Sequence, residues 1–273
     1  MKIEVVGVVM FDILGYTFVQ HALLAGVLVS IAVGVVGSLV VVNKMTFLAG
    51  GIAHSSYGGI GLALFFGLPI LVGTTSFALL CAGIIAFLTI KKRDRIDALI
   101  GVIWAAGMAM GIIFVDLTHG YNVDLMSYLF GSILAVSSED LWFIFVVDLF
   151  IVLSVIIFYK EILAVSYDSE YATLRGINVK VFYTLMLVLA ALTVVSAISV
   201  VGLILVIALL TIPTFIAESY CHKLSYIMIL SVVLSLFFTL CGLFISYYYD
   251  LSSGASIIAV GVVALLISKL FKR

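Results

Sequence analysis

Apolar runs of about 20 residues recur along the whole 273-residue chain, with few charged residues inside them. A helix of about 20 apolar residues is long enough to cross the ~30 Å hydrocarbon core of a membrane. Because 65% of the residues are hydrophobic and only 10% are charged, little of the chain is left to form a water-soluble domain. The sequence predicts an all-α, polytopic transmembrane helical bundle with spans at 17–42, 47–66, 70–90, 97–117, 141–159, 180–199, 203–218, 224–247 and 253–270.

The number of crossings depends on the sixth and seventh runs. The seventh run is short, and residues 199–202 leave hardly any loop before it, so the two runs form two spans, one broken helix or a partial re-entry. We therefore expect eight or nine spans within a single membrane domain, residues 1–273. Residues 1–16 carry Lys2, Glu4 and Asp12, unlike a cleaved signal peptide, and are interpreted as an amphipathic lead-in.

The basic residues predict the orientation of the chain, because cytoplasmic loops retain Lys and Arg. With nine spans, 12 of the 13 basic residues fall on one side and only Lys2 on the other. The C-terminus is then cytoplasmic and the N-terminus external. The 12 residues are Lys44, Lys91, Lys92, Arg93, Arg95, Lys160, Arg175, Lys180, Lys223, Lys269, Lys272 and Arg273.

Several function classes are excluded at this level. A net charge of -1 provides no basic face for nucleic acid, so we expect no nucleic-acid partner. Cys81, Cys221 and Cys241 are far apart and have no metal-binding spacing, which favours a packing role. No phosphate-binding glycine loop, nucleophile elbow or H-E-x-x-H motif is present, so we expect a transport protein rather than an enzyme.

The second run contains the most unusual segment. Residues 49–61 hold five glycines, two serines and His54, so this helix is slim and carries an ionisable side chain about 10 Å from the inner surface. An ionisable residue inside a membrane predicts a transport pathway, although a buried and satisfied histidine is the alternative. The glycines expected to serve helix packing are Gly50, Gly51, Gly58, Gly59, Gly61, Gly107 and Gly111.

Further candidate ligands lie toward the outer surface. Asp116 and His119 are three residues apart, so they share a face if the fourth helix continues, and oxygen with imidazole suits a divalent ion. Asp124 and His21 fall at the same expected level, and ordinary interfacial polar groups are the alternative. Asp148 lies inside the fifth span, where an unpaired charge costs at least ~2.5 kcal/mol near the membrane centre, so we expect a partner or a proton on it.

Two connections are long enough to have their own structure. The outer one, 118–140, includes an apolar patch at 125–134 that is too short to span and is expected to enter the interface or cover a cavity. The inner one, 160–179, contains a predicted short helix at 168–176. Asp168 is its expected cap, Glu170 lies in its first turn, Arg175 in its last turn, and Gly176 ends it.

Several of these segments, in this order, resemble one family nearly from end to end. The chain is similar to the membrane permease subunits of ATP-binding-cassette importers for zinc, manganese and iron. The matching segments are Phe47-Leu48 with His54 and Gly59, 97–101 with 107–111, 128–131 with 134–137, 167–172 with Gly176, 201–210 with Pro213, and 253–255.

The resemblance implies a function and partners. It implies two copies of the permease in a prokaryotic cell (inner) membrane and an external metal-binding protein that delivers the ion. It also implies a cytoplasmic ATPase that docks on a coupling helix at 168–176, where Ala172 also matches the family. Two histidines near the path favour zinc, with manganese or iron as alternatives.

The chain departs from many relatives at Gly50, where they have Asp, and at His119, where Pro is common. The rival hypothesis is an ion-coupled secondary carrier without an ATPase, using Asp148, Asp116 and His54 as a proton relay.

Overall fold

The computed structural model describes residues 16–91, 96–118 and 129–271, and all regular structure in these ranges is helical. Residues 1–15 of the predicted lead-in, His119 and Asp124 lie outside them, as do residues 125–128 of the apolar patch at 125–134. The described α-helices are α1 Thr17–Val42, α2 Thr46–Ser55, α3 Tyr57–Phe66, α4 Ile70–Lys91, α5 Ile96–Leu117, α6 Ser138–Ile157, α7 Tyr159–Tyr167, α8 Ser169–Leu174, α9 Val179–Val201, α10 Val206–Tyr220, α11 Leu224–Tyr249 and α12 Ser253–Phe271.

Seven of these helices are long and apolar enough to cross a membrane: α1, α4, α5, α6, α9, α11 and α12. Length and composition make the protein a multi-pass membrane protein. The two remaining expected spans, 47–66 and 203–218, consist of shorter helices. The first is interrupted at Ser56 between α2 and α3, and the second is represented by the 15-residue α10. The total of eight or nine crossings stays a prediction.

Helix α1 occupies the centre of the bundle and packs against α6, α9, α10 and α11. Its contact with α11 is close because small residues on one helix meet small polar residues on the other. A Cβ added to Gly26 would lie 2.8 Å from Thr239 Cγ2. The hydroxyls of Ser30 and Thr239 are 3.3 Å apart, and Ser38 donates to Ser231 at 3.3 Å. Without a hydrophobic driving force between helices in lipid, such close packing and interhelical hydrogen bonds hold the pair together.

The described end of the outer connection packs against the break between α9 and α10. Gly202 adopts a left-handed conformation with φ of 87°, which ends α9, and the amide of Ile204 donates to the carbonyl of Leu129 at 3.2 Å. The amide of Ile133 donates to the Ser253 hydroxyl at 3.2 Å. Ile133 is completely buried. This part of the expected apolar patch therefore covers the α9–α10 junction.

Candidate functional site

His54 lies in the last turn of α2, two residues before the interruption at Ser56. The described residues from Leu48 to Ser55 are all buried, and His54 itself is 9% exposed. Its Nδ1 atom has no hydrogen-bond partner among the described residues. The alternative of a satisfied buried histidine therefore finds no support at this nitrogen, which is left available for a partner or a ligand.

A neighbour that sequence reasoning missed is Trp104 of α5. The rings of His54 and Trp104 are stacked, with centroids 4.0 Å apart and an angle of 8° between their planes. The Trp104 indole N–H donates to the sulfur of Met108 at 3.1 Å, and Phe47 lies against its ring with the centroids 6.4 Å apart. This arrangement fixes the plane of the imidazole. The one available sequence signal was a tryptophan inside an apolar span, which is usually a packing residue.

The glycines bring α5 close enough for this stacking. A Cβ at Gly107 would lie 2.6 Å from the Cα and Cβ of Ser55, and a Cβ at Gly58 would lie 2.9 Å from the Gly107 carbonyl oxygen. Gly61 contacts the backbone of Gly111 equally closely. The expected G-x-x-x-G packing is thus present between α5 and the α2–α3 pair, as small-residue packing in membranes requires.

The other three packing glycines have different neighbours. A Cβ at Gly59 would collide with the backbone of α4 at Gly73 and Thr74, and one at Gly51 with the side chain of Ile100. Gly50 is the exception, because an added Cβ would meet only the flexible end of Ile207 in α10, at 3.0 Å. The space beside Gly50 is therefore occupied by a neighbouring aliphatic side chain.

The outer candidates do not form a cluster within the described part of the chain. Asp116 is exposed in the last turn of α5, and His21 is half-buried in the second turn of α1. His119 and Asp124 lie outside the described residues, so the expected pairing with Asp116 stays a prediction. Among residues 16–91, 96–118 and 129–271, no three His, Cys, Asp or Glu side chains are close enough to hold a metal ion together.

Asp148 lies in the middle of α6 and is 4% exposed. Neither carboxylate oxygen has a hydrogen-bond partner among the described residues. A partner, one of the two states expected from the sequence, is therefore not found there. The alternative expected from the sequence, a proton on this carboxylate, stays a prediction.

The predicted short helix in the inner connection is present as α8. The Asp168 carboxylate accepts hydrogen bonds from the amides of Glu170 at 3.1 Å and Tyr171 at 2.9 Å, so it caps the helix as expected. Gly176 has a φ of 78°, the left-handed conformation that commonly ends helices. The Arg175 guanidinium lies 5.0 Å from the centre of the Tyr171 ring.

Helix α8 has one buried side and one open side. Ala172 is completely buried, whereas Leu174 is 87% exposed and Tyr171 is 46% exposed. An exposed leucine and tyrosine on a capped helix between membrane spans form a small apolar surface of the kind that contacts another protein. Its role in coupling stays a prediction.

Comparison with known proteins supplies the family. Residues 15–272 match the model of the ABC 3 transport family. The chain is 46% identical to an uncharacterized membrane protein of Synechocystis sp., covering 97% of this chain and 94% of that protein. It is 33% identical to the manganese transport system membrane protein MntC of Listeria monocytogenes, covering 94% and 91%. Among solved structures it resembles PsaBC from Streptococcus pneumoniae in complex with Fab, with a TM-score of 0.85, 32% identity and coverage of 94% and 93%. The chain therefore belongs to the ABC 3 transport family and is a membrane transport protein rather than an enzyme.

Proposed function

We propose that this chain is the permease subunit of an ATP-binding-cassette importer for divalent metal ions. The observation that carries the proposal is His54, a buried imidazole with an unpartnered Nδ1 at the interruption of a membrane helix. Interrupted helices are common where transporters bind their substrates. The family match and the name of the manganese-transporting relative in Listeria support the same conclusion.

Two copies of the chain form the pathway in this proposal. One described chain does not bring three potential ligands together, whereas two copies placed around one axis bring two His54 side chains to the same depth. A site with few ligands suits transport, because a closed four-ligand cage binds zinc too tightly for release. Asp116, with His119 and Asp124, is assigned to the outer entrance of this pathway.

The driving force comes from a separate ATPase. We assign its docking site to α8, whose cap at Asp168 and stop at Gly176 make it a rigid body between α7 and α9. ATP-driven closure of two ATPases moves the two α8 helices and exchanges an outward-open path for an inward-open one. An external metal-binding protein delivers the ion. In this scheme residues 1–273 are one domain with eight or nine crossings in a prokaryotic cell membrane, and the C-terminus is cytoplasmic.

Two arguments point to different metals. The imidazole of His54 favours zinc, because nitrogen ligands suit zinc better than manganese. Several relatives, among them MntC of Listeria monocytogenes, are named as manganese transport proteins. Competition between zinc and manganese for uptake decides between them. The metal that inhibits uptake of the other metal at the lower concentration is the cargo.

The secondary carrier remains the second candidate because Asp148 is a buried acid without a described partner. The two candidates differ in their need for ATP. Proteoliposomes that contain the chain and its co-purifying ATPase should accumulate metal only when ATP is present. The secondary carrier would be established instead if the chain purified without an ATPase and still transported metal along a proton gradient.

Replacement of His54 tests the metal pathway. His54→Ala should reduce metal uptake strongly while the complex still purifies intact. Thr75→Ala is a suitable control, because the Thr75 hydroxyl donates only to the Leu71 carbonyl of its own helix. Uptake by His54→Ala equal to that of the control would contradict the assignment of His54.

A further inference from the structure

An apolar groove of about 440 Å³ opens on the side of the bundle. It is lined by residues of α1, α6, α7 and α11. This volume is within the range of small-molecule binding sites. Its walls in the membrane-spanning part are aliphatic: Val35, Val152, Val155, Ile156, Met228 and Ile229. Ile156 is 66% exposed and Ile229 is 60% exposed, so the groove is open toward the hydrocarbon of the bilayer.

The groove continues into a second cavity of about 260 Å³ at the edge of the bundle that carries α8. Tyr159 and Ser225 line both cavities, which therefore adjoin each other and are treated as one path. The character of the lining changes along this path. Where the first cavity is aliphatic, the second is lined by Tyr167, His222 and Lys223 as well as Leu163 and Leu224.

Lys223 provides a positive charge at the polar end of the path. It is exposed, its ammonium group lies 5.7 Å from the centre of the Tyr226 ring, and it forms no ion pair with a carboxylate of the described residues. Tyrosine and lysine are typical of the membrane–water interface. Basic pockets between membrane helices on the cytoplasmic side bind anionic lipid headgroups.

We propose that this groove binds one anionic phospholipid. An acyl chain lies along the aliphatic walls near Val152 and Met228, and the headgroup phosphate lies against the Lys223 ammonium and the Ser225 hydroxyl. A lipid fits both halves of the path, because it is apolar along its length and negative at one end. A second protein chain would have to supply both an aliphatic segment along the groove and an acidic group at the end that carries Lys223.

The lipid contacts the segments that support α8. Helix α7 runs from Tyr159 to Tyr167 and ends directly at the Asp168 cap of α8. The Tyr167 hydroxyl donates to the carbonyl of His222 at 3.5 Å, which joins α7 to the loop before α11. A headgroup bound between these two segments therefore binds at the base of the helix that we assign to ATPase docking.

Lipid titration of the delipidated, purified full complex tests the proposal. Phosphatidylglycerol and phosphatidylcholine with identical acyl chains are added in detergent, and bound lipid is counted by native mass spectrometry. Wild type should prefer phosphatidylglycerol. Lys223→Gln should weaken phosphatidylglycerol binding about fivefold, the effect of one cationic side chain near a headgroup, and leave phosphatidylcholine binding unchanged. Lys180→Gln is the matched control, because Lys180 is an exposed lysine in the first turn of α9, outside the lining of either cavity.

Two further arms separate the headgroup from the acyl chain. Val152→Trp fills the aliphatic part of the groove and should weaken the binding of both lipids. Soluble glycerol phosphate should not compete with phosphatidylglycerol, because it lacks the chains. Equal affinity of Lys223→Gln and Lys180→Gln for phosphatidylglycerol would overturn the proposal, as would unchanged lipid binding by a folded Val152→Trp protein or full competition by glycerol phosphate.

Discussion

The closeness of α5 to the α2–α3 pair can be tested with one substitution at two positions of the same helix. A Cβ at Gly107 would lie 2.6 Å from Ser55 Cα, which is 0.8 Å short of the 3.4 Å at which ordinary contact begins. At Gly101, also in α5, an added Cβ would have no neighbour within 4 Å. The two alanine variants gain the same helix propensity, up to about 1 kcal/mol, so their difference isolates the collision.

The collision is expensive because its partner is backbone. Ser55 cannot rotate out of the way, so Gly107→Ala must push α5 from α2, an overpacking that costs about 1–3 kcal/mol. At on the order of 2–4 °C per kcal/mol, the melting transition of Gly107→Ala should lie roughly 2–12 °C below that of Gly101→Ala. Gly101→Ala should melt at or above the wild-type temperature.

Thermal unfolding of both variants in one detergent, followed by tryptophan fluorescence, measures this difference. Trp104 also reports locally, since its ring is stacked on His54 at 4.0 Å. The emission of Gly107→Ala should differ from wild type before unfolding begins, and metal uptake should fall with it. Equal melting temperatures for the two alanine variants would refute the proposed tight contact between α5 and α2.

Three further predictions concern single side chains. Trp104→Ala should lower metal uptake by an intact complex, and Trp104→Phe should retain more uptake, because an aromatic ring is needed to hold the His54 imidazole. Equal uptake by the two variants in liposomes would count against this role of the Trp104 ring. Asp168→Ala removes the cap of α8 and should lower the local stability of this helix by about 1 kcal/mol. Hydrogen exchange in α8 should become faster and the stimulation of ATPase activity weaker, whereas Asp168→Asn should behave like wild type. Unchanged hydrogen exchange would argue against the cap. Asp148→Asn should leave stability and ATP-driven uptake nearly unchanged, because no described group depends on the carboxylate; loss of uptake by an assembled variant would favour the secondary carrier.

Local signals in the sequence were sufficient for much of the architecture. Apolar length located the seven long helices, because lipid forces every backbone amide into a helical hydrogen bond. The Asp168 cap and the Gly176 stop located α8, because caps depend on residues only two or three positions away. The sequence was less informative for the spans 47–66 and 203–218, which are broken or short, because interruptions at Ser56 and Gly202 are stabilised by packing.

Tertiary structure decided the composition of the candidate site. The sequence by itself was enough to predict a helical membrane protein, a histidine at position 54 within an apolar run and the glycines around it, since each follows from residue type and helical spacing. It did not determine that Trp104 stacks on His54, that Ile207 occupies the space beside Gly50, or that Asp148 is buried without a described partner. These contacts join helices distant in sequence, and their geometry depends on the approach of whole helices, which no local pattern of residues specifies.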